Sequence, residues 1–198
     1  MRLWPIAIAL FAGSVSAGSP DLPDNVQKTL TLIDAVPSPT QLDKAFTDHS
    51  SAALGLAAIA TDAGATDAAS RVARLHAISA LSTYCGTPCD DQDPAHKSLV
   101  TIIQNSAPYS TGFDAVVLRA AIEAIGPQRV GTDLPMLVDQ LQNPSRDIRT
   151  AVAHSLRDLC NTNAIMPLRQ QQQTETSDQV KQAITEALRV LGQPSPCQ

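Results

Sequence analysis

Aromatic side chains are scarce in this chain: Phe, Trp and Tyr together make up 3% of its 198 residues. β-Sandwiches and barrels rely on aromatic and β-branched residues for their half-buried faces, so this deficit counts against both. Basic residues are also in short supply, with 14 Lys and Arg against 19 Asp and Glu and a formal charge of −5. Nucleic-acid recognition needs clustered Lys and Arg for its phosphate contacts, and the acidic balance argues against it. After the first dozen positions no apolar stretch approaches the roughly 20 residues of a spanning helix, so membrane insertion is not expected. Catalytic signatures are missing as well. The four histidines, His49, His76, His96 and His154, are scattered, and no H-E-x-x-H, G-x-S-x-G, P-loop or dinucleotide fingerprint appears. The expectation is therefore a protein that is not an enzyme and carries no cofactor, with each lone helical histidine a surface or cap residue.

What is present begins with a leader-like segment. Arg2 precedes an apolar stretch from Leu3 to Ala12, and Val15-Ser16-Ala17 forms a small-residue cleavage site before Gly18. This is the pattern of a secretory signal peptide over residues 1–17, which places the protein in a periplasm or outside the cell. Without Arg2 the remaining chain has 13 basic and 19 acidic residues and a formal charge of −6. Residues 18–192 suit one domain, followed by a tail over 193–198.

The main body of the chain repeats one helix. Copies read VKQAITEALRVL from Val180, IRTAVAHSLRDL from Ile148, VLRAAIEAI from Val117 and, more weakly, ARLHAISAL from Ala73. Their starts lie 44, 31 and 32 residues apart in chain order, a period that marks stacked repeat units, none of which buries its apolar face alone. Within the last copy, Val180, Ala183, Ile184, Ala187, Leu188 and Leu191 fall on one stripe of a 3.6-residue period. Cap signals surround these copies. Ser38-Pro39-Thr40-Gln41 is a capping box with Pro at the first helical position, Asp93-Pro94 opens another helix, and Thr176-Ser177-Asp178-Gln179 has the same logic. Breakers stand at Gly64, Gly86-Thr87-Pro88, Gly112, Gly126-Pro127 and Asn143-Pro144-Ser145. The pattern predicts an all-α fold with helices near 23–35, 39–48, 51–62, 67–84, 94–105, 114–125, 133–142, 146–159, 164–173 and 177–191, about five pairs in an α-solenoid.

From Asp114 to Gly192 the chain resembles the HEAT-repeat family, in the short bacterial form whose second helix follows a V-R-x-A-A-x-x-A-L-G-like pattern. The residues that carry the resemblance are VVLRAAIEAIG, DLPMLVDQLQNPSRDIRTAVAHSL and MPLRQQQQTETSDQVKQAITEALRVLG. Leu141-Gln142-Asn143-Pro144-Ser145 is similar to the family's turn and Ile148-Arg149 to its Val-Arg pair, whereas Lys181 and Leu118 stand in place of that Arg in the neighbouring units. The first half, with its longer spacing and the Cys85 loop, departs further. The resemblance implies a right-handed superhelix that serves as a protein-binding scaffold.

Four cysteines in an exported chain point to two disulfides, for which three pairings exist. Cys85 and Cys160 close second helices two repeats apart, about 20 Å at roughly 10 Å per layer, and a disulfide tolerates about 7 Å between Cα atoms. Cys197 follows the last repeat closely, so the tail returns it to Cys160, and Cys85 pairs with Cys89 across Gly86-Thr87-Pro88. A metal site at Cys85, Cys89 and His96, with Asp90, Asp91 and Asp93 beside them, is the rival reading; it lacks the second close ligand pair of a zinc site and the glycine of a calcium loop.

With the apolar stripe turned inward, Arg119, Glu123, Thr150, His154, Arg157, Gln182, Glu186 and Arg189 fall on the opposite side of the last three second helices. The resemblance implies that second helices line the concave face, where Arg157 and Arg189 would form a basic stripe for an acidic peptide or another carboxylate-bearing protein partner. An ordinary solvated face with internal ion pairs is the plainer alternative. Two further readings belong to other classes: a HEAT-like lyase for bilin chromophores, and a purely structural spacer in the envelope. The Gln170–Gln173 run reads as solvated surface.

Overall fold

The computed structural model describes residues 23–32, 36–194 and 197; the leader-like segment over 1–17 lies outside them. Among the described residues the chain forms ten α-helices and no strand: α1 (Asp24–Leu30), α2 (Pro39–Phe46), α3 (His49–Thr61), α4 (Ala68–Leu81), α5 (Pro94–Asn105), α6 (Gly112–Ile125), α7 (Leu134–Gln140), α8 (Arg146–Asp158), α9 (Ile165–Thr174) and α10 (Asp178–Leu191). The start of each follows local chemistry. Ser38 and Gln41 form the predicted capping box, and Asp48, Asp67 and Asp93 each accept a backbone N–H of the first turn. The predicted cap before α10 differs. Ser177 makes no side-chain cap; instead the Glu175 carboxylate accepts the N–H groups of Thr176 and Ser177.

Helices α3/α4, α5/α6, α7/α8 and α9/α10 pair as neighbours in sequence, while α4, α6, α8 and α10 pack one upon the next. This second layer carries the repeated stripe. Val180, Ala183, Ile184, Ala187 and Leu191 of α10 are buried, with Leu188 partly so, and α8 buries Ile148, Ala151, Val152, Ser155 and Leu156. Ala153 is buried as well, because α8 lies between α6 and α10 and is covered on two sides. Small residues permit the close approach this needs. Gly126 continues α6 into a 3-10 turn over 126–128, and a Cβ there would lie 2.6 Å from the Ser155 carbonyl oxygen on α8. It is a contact glycine rather than the breaker the sequence suggests.

The N-terminal end is arranged differently. Helix α1, shorter than the predicted 23–35, packs on α4, whose His76 Nδ1 lies 2.8 Å from the Leu30 carbonyl and donates to it, and α2 packs on α3. Tyr84 anchors α2: its hydroxyl lies 2.7 Å from Asp43 Oδ1 and 3.1 Å from the Pro39 carbonyl, and the His49 ring stacks on it at 4.6 Å between centroids. Burial, then the Asp43 contact, push the Tyr84 hydroxyl well above the usual tyrosine range.

Between the last two pairs runs a polar seam. Arg149 donates twice to Glu175, at 2.8 Å to each oxygen, and also to the carbonyls of Asn143 and Pro144. Gln171 donates to Glu175 and accepts from Gln142, so it is buried, contrary to the solvated surface expected for the glutamine run. The Arg149 hydrogen bond, strengthened by the backbone donors, lowers the Glu175 pKa to about 2.

Candidate functional site

The C-terminal ends of α6, α8 and α10 enclose a cleft of about 560 Å³, lined by Pro127, Arg129, Arg157, Asp158, Cys160, Glu186, Val190 and Cys197. Stacking of the second helices places these ends in a row, and each supplies part of the wall. Pro127 and Arg129 come from the turn that follows α6, where Arg129 adopts a left-handed φ of 57°. Cys160, with φ 59°, turns the chain out of α8, and its disulfide brings Cys197 against the rim with 6.0 Å between Cα atoms. The second disulfide joins Cys85 to Cys89 with 5.2 Å between Cα atoms. Both are the pairs expected from repeat stacking. The ligands of the rival metal reading are thereby committed: the two thiols bond each other, and His96 sits buried between Gln128 and Asp133.

Of the residues on the predicted face, Arg157 and Glu186 line the cleft together; Arg119, Glu123, His154, Gln182 and Arg189 lie outside its wall. Every arginine of the predicted face, the two of the basic stripe included, has a carboxylate beside it. Arg119 Nε lies 2.8 Å from Glu123, Arg157 Nε 2.8 Å from Asp158, and Arg189 reaches Glu186 at 2.7 Å. The hydrogen bond from Arg189 holds the Glu186 carboxyl below its usual range, and the Arg157 charge acts in the same direction. Arg129 has no ion-pair partner among the described residues. The cleft walls thus present two arginines, Arg129 and Arg157, and two acids, Asp158 and Glu186: a surface of mixed sign rather than a uniformly basic one. His154 keeps its Nδ1 buried without a hydrogen-bond partner.

Sequence reasoning missed Pro127, Arg129, Asp158 and Val190. All four stand at or just beyond helix ends, and helix-face counting takes no account of such positions. It also misplaced His96. Far from being a surface or cap residue, His96 is 2% exposed, with Nδ1 2.8 Å from Gln128 Oε1 and Nε2 3.3 Å from Asp133 Oδ1. It stands in the wall of a second cavity, of about 370 Å³, with Lys97, Val100, Thr132 and Met136.

Comparison with known proteins agrees with the repeat pattern: residues 109–189 match the family model of HEAT repeats. That segment runs from the turn before α6 into α10, and what it resembles is a repeat type that commonly mediates protein–protein interaction. No curated protein and no solved structure matches the chain. Among the described residues no helix is long and apolar enough to cross a membrane.

Proposed function

We propose that the chain is an exported, non-catalytic scaffold: a right-handed α-solenoid of HEAT-like repeats that binds a protein or peptide partner on its second-helix layer. The observation that carries this reading is the cleft where α6, α8 and α10 end side by side. Its paired charges of both signs and its apolar Pro127 and Val190 suit a peptide segment, which itself offers backbone donors, acceptors and apolar side chains. The two disulfides support an oxidising compartment.

Site-specific photo-crosslinking tests the binding face. A crosslinker at Val190, in the cleft wall, should yield one discrete protein adduct, and one at Asp139, exposed on α7, should yield none; equal labelling or no adduct at either site would overturn the reading. Export is tested by the intact mass of the secreted product, expected to begin at Gly18. A visible absorption band in the purified protein would favour the chromophore lyase instead.

A further inference from the structure

The turn that carries Pro127 and Arg129 into the cleft sends Gln128 inward. Gln128 Nε2 donates to the Leu81 carbonyl at the end of α4, at 2.9 Å, and this leaves its Oε1 facing His96 Nδ1. An amide oxygen only accepts, so Nδ1 carries a hydrogen. On the other side of the ring, Nε2 faces Asp133 Oδ1 at 3.3 Å, and the two side chains are 2% and 5% exposed. A carboxylate also only accepts. Nε2 therefore carries a second hydrogen, which faces the Asp133 carboxylate. Removing that proton would set the Nε2 lone pair against a buried carboxylate whose other oxygen, Oδ2, already lacks a partner.

The surroundings of His96 define how the cluster responds to pH. Asp133 comes from the 3-10 turn before α7 and Asp91 from the loop before α5; Lys97, next along α5, lines the same cavity. The buried residues of α3, α4 and α6 that pack around α5 are all apolar. Burial pulls the imidazole pKa down, but the hydrogen bonds to Asp133 and Gln128 and the charges of Asp133 and Asp91 outweigh it and hold the pKa above 6.5. A group raised in the folded state stabilises fully below its unfolded pKa, and that contribution disappears as pH rises through the folded one.

We propose that the proton shared by His96 and Asp133 is a pH-sensitive lock on the cleft. While it is present, residues 126–133 are pinned to α4 and α5 and Arg129 is held in the cleft wall; once it is lost on the alkaline side, the segment loosens and the wall opens. The functional half of this inference rests on reading the cleft as the binding face.

Hydrogen exchange with mass spectrometry on the full, disulfide-intact chain tests it, from about pH 6 to about pH 9 with correction for the intrinsic rate. Peptides over 126–133 should lose about tenfold or more of their protection across that range while peptides over 165–178 keep theirs. In His96→Gln, protection of 126–133 should be low and independent of pH. Flat protection in the parent protein, or equal loss in both segments, would overturn the lock. Should His96→Gln not fold, the His96 ring titration by NMR replaces it: a midpoint above 6.5 that falls in Asp133→Asn supports the lock, and one at or below 6.5 refutes it. A partner that crosslinks at Val190 but binds with no pH dependence overturns the lock and leaves the binding face standing. A pH-dependent segment in a protein with no crosslinked partner sustains the lock and removes the binding face.

Discussion

The two ends of the molecule are held together by different means. From α6 onward each second helix stacks on the next through a repeated stripe of Val, Ala, Ile and Leu, and the contact is much the same from one repeat to the next. At α1 and α2 that regularity is gone: α1 packs on α4, α2 on α3, and single long-range hydrogen bonds from His76 and Tyr84 pin the short helices in place. A periodic stripe distributes stability over many interchangeable apolar contacts, whereas a short irregular helix depends on a few specific partners. The region that matches HEAT repeats is the one held by the stripe.

This contrast sets the expected size of perturbations. Leu156, fully buried in the α8 stripe, should cost about 2–5 kcal/mol when changed to Ala, read as a shift in urea midpoint. A loss below about 1 kcal/mol would mean that the stripe is not what holds the second layer.

Disulfide removal sharpens the comparison. The Cys160–Cys197 closure spans 37 residues and should contribute roughly 3–4 kcal/mol, against about 2 for the four-residue Cys85–Cys89 closure. Non-reducing proteolysis with mass spectrometry should recover exactly these two linked peptides. On reduction α10 should lose exchange protection first, because the larger closure ties Cys197, beyond α10, back to the end of α8. Earlier loosening of α1 and α2 would reverse the assignment of the weaker end.

Glu175→Gln tests the polar seam between repeats. Because the carboxyl pKa is depressed from 4.5 to about 2, its stabilisation is present above the unfolded value and disappears as pH falls through the folded one. The variant should be destabilised by about 3 kcal/mol at neutral pH, and the difference from the parent should vanish near pH 2. Tyr84→Phe, its counterpart at the irregular end, removes the hydroxyl whose single hydrogen faces Asp43 and the Pro39 carbonyl and should cost about 1–2 kcal/mol, with exchange in α2 rising before that in α8. The smallest effect belongs to Arg157→Ala. Its ion pair with Asp158 is partly solvated, and the change should stay within about 0.5 kcal/mol although Arg157 adjoins Leu156.

Helix positions were legible in the sequence because periodicity and caps are local. The predicted 94–105 coincides with α5, and 146–159 and 177–191 differ from α8 and α10 by one residue at an end. Even the cysteine pairing followed, since counting repeats determines which helix ends are neighbours. The His96 cluster was not legible. Its hydrogen bonds join residues 32 and 47 positions apart, and nothing in the local pattern of Gln128 or Asp133 sets them apart from loop residues. Face counting also overstated the basic stripe, because it gave Arg157 and Arg189 positions on helices but could not assign the carboxylates, Asp158 and Glu186, that their side chains reach.

By itself, then, the sequence determined the all-helical class, the order of the helices, the apolar stripe of the second layer and the disulfide register. Each is a matter of residue spacing along one chain, where 3.6-residue periodicity and cap chemistry act within a few positions. Only the tertiary structure decided that α1 joins the second-helix layer, that Gly126 serves a contact with Ser155, that Arg129 and Glu186 share a cleft, and that His96 is buried against Asp133. Those outcomes depend on which backbone ends meet after packing, and burial then selects the polar partners, because an unpaired buried group is too costly to keep.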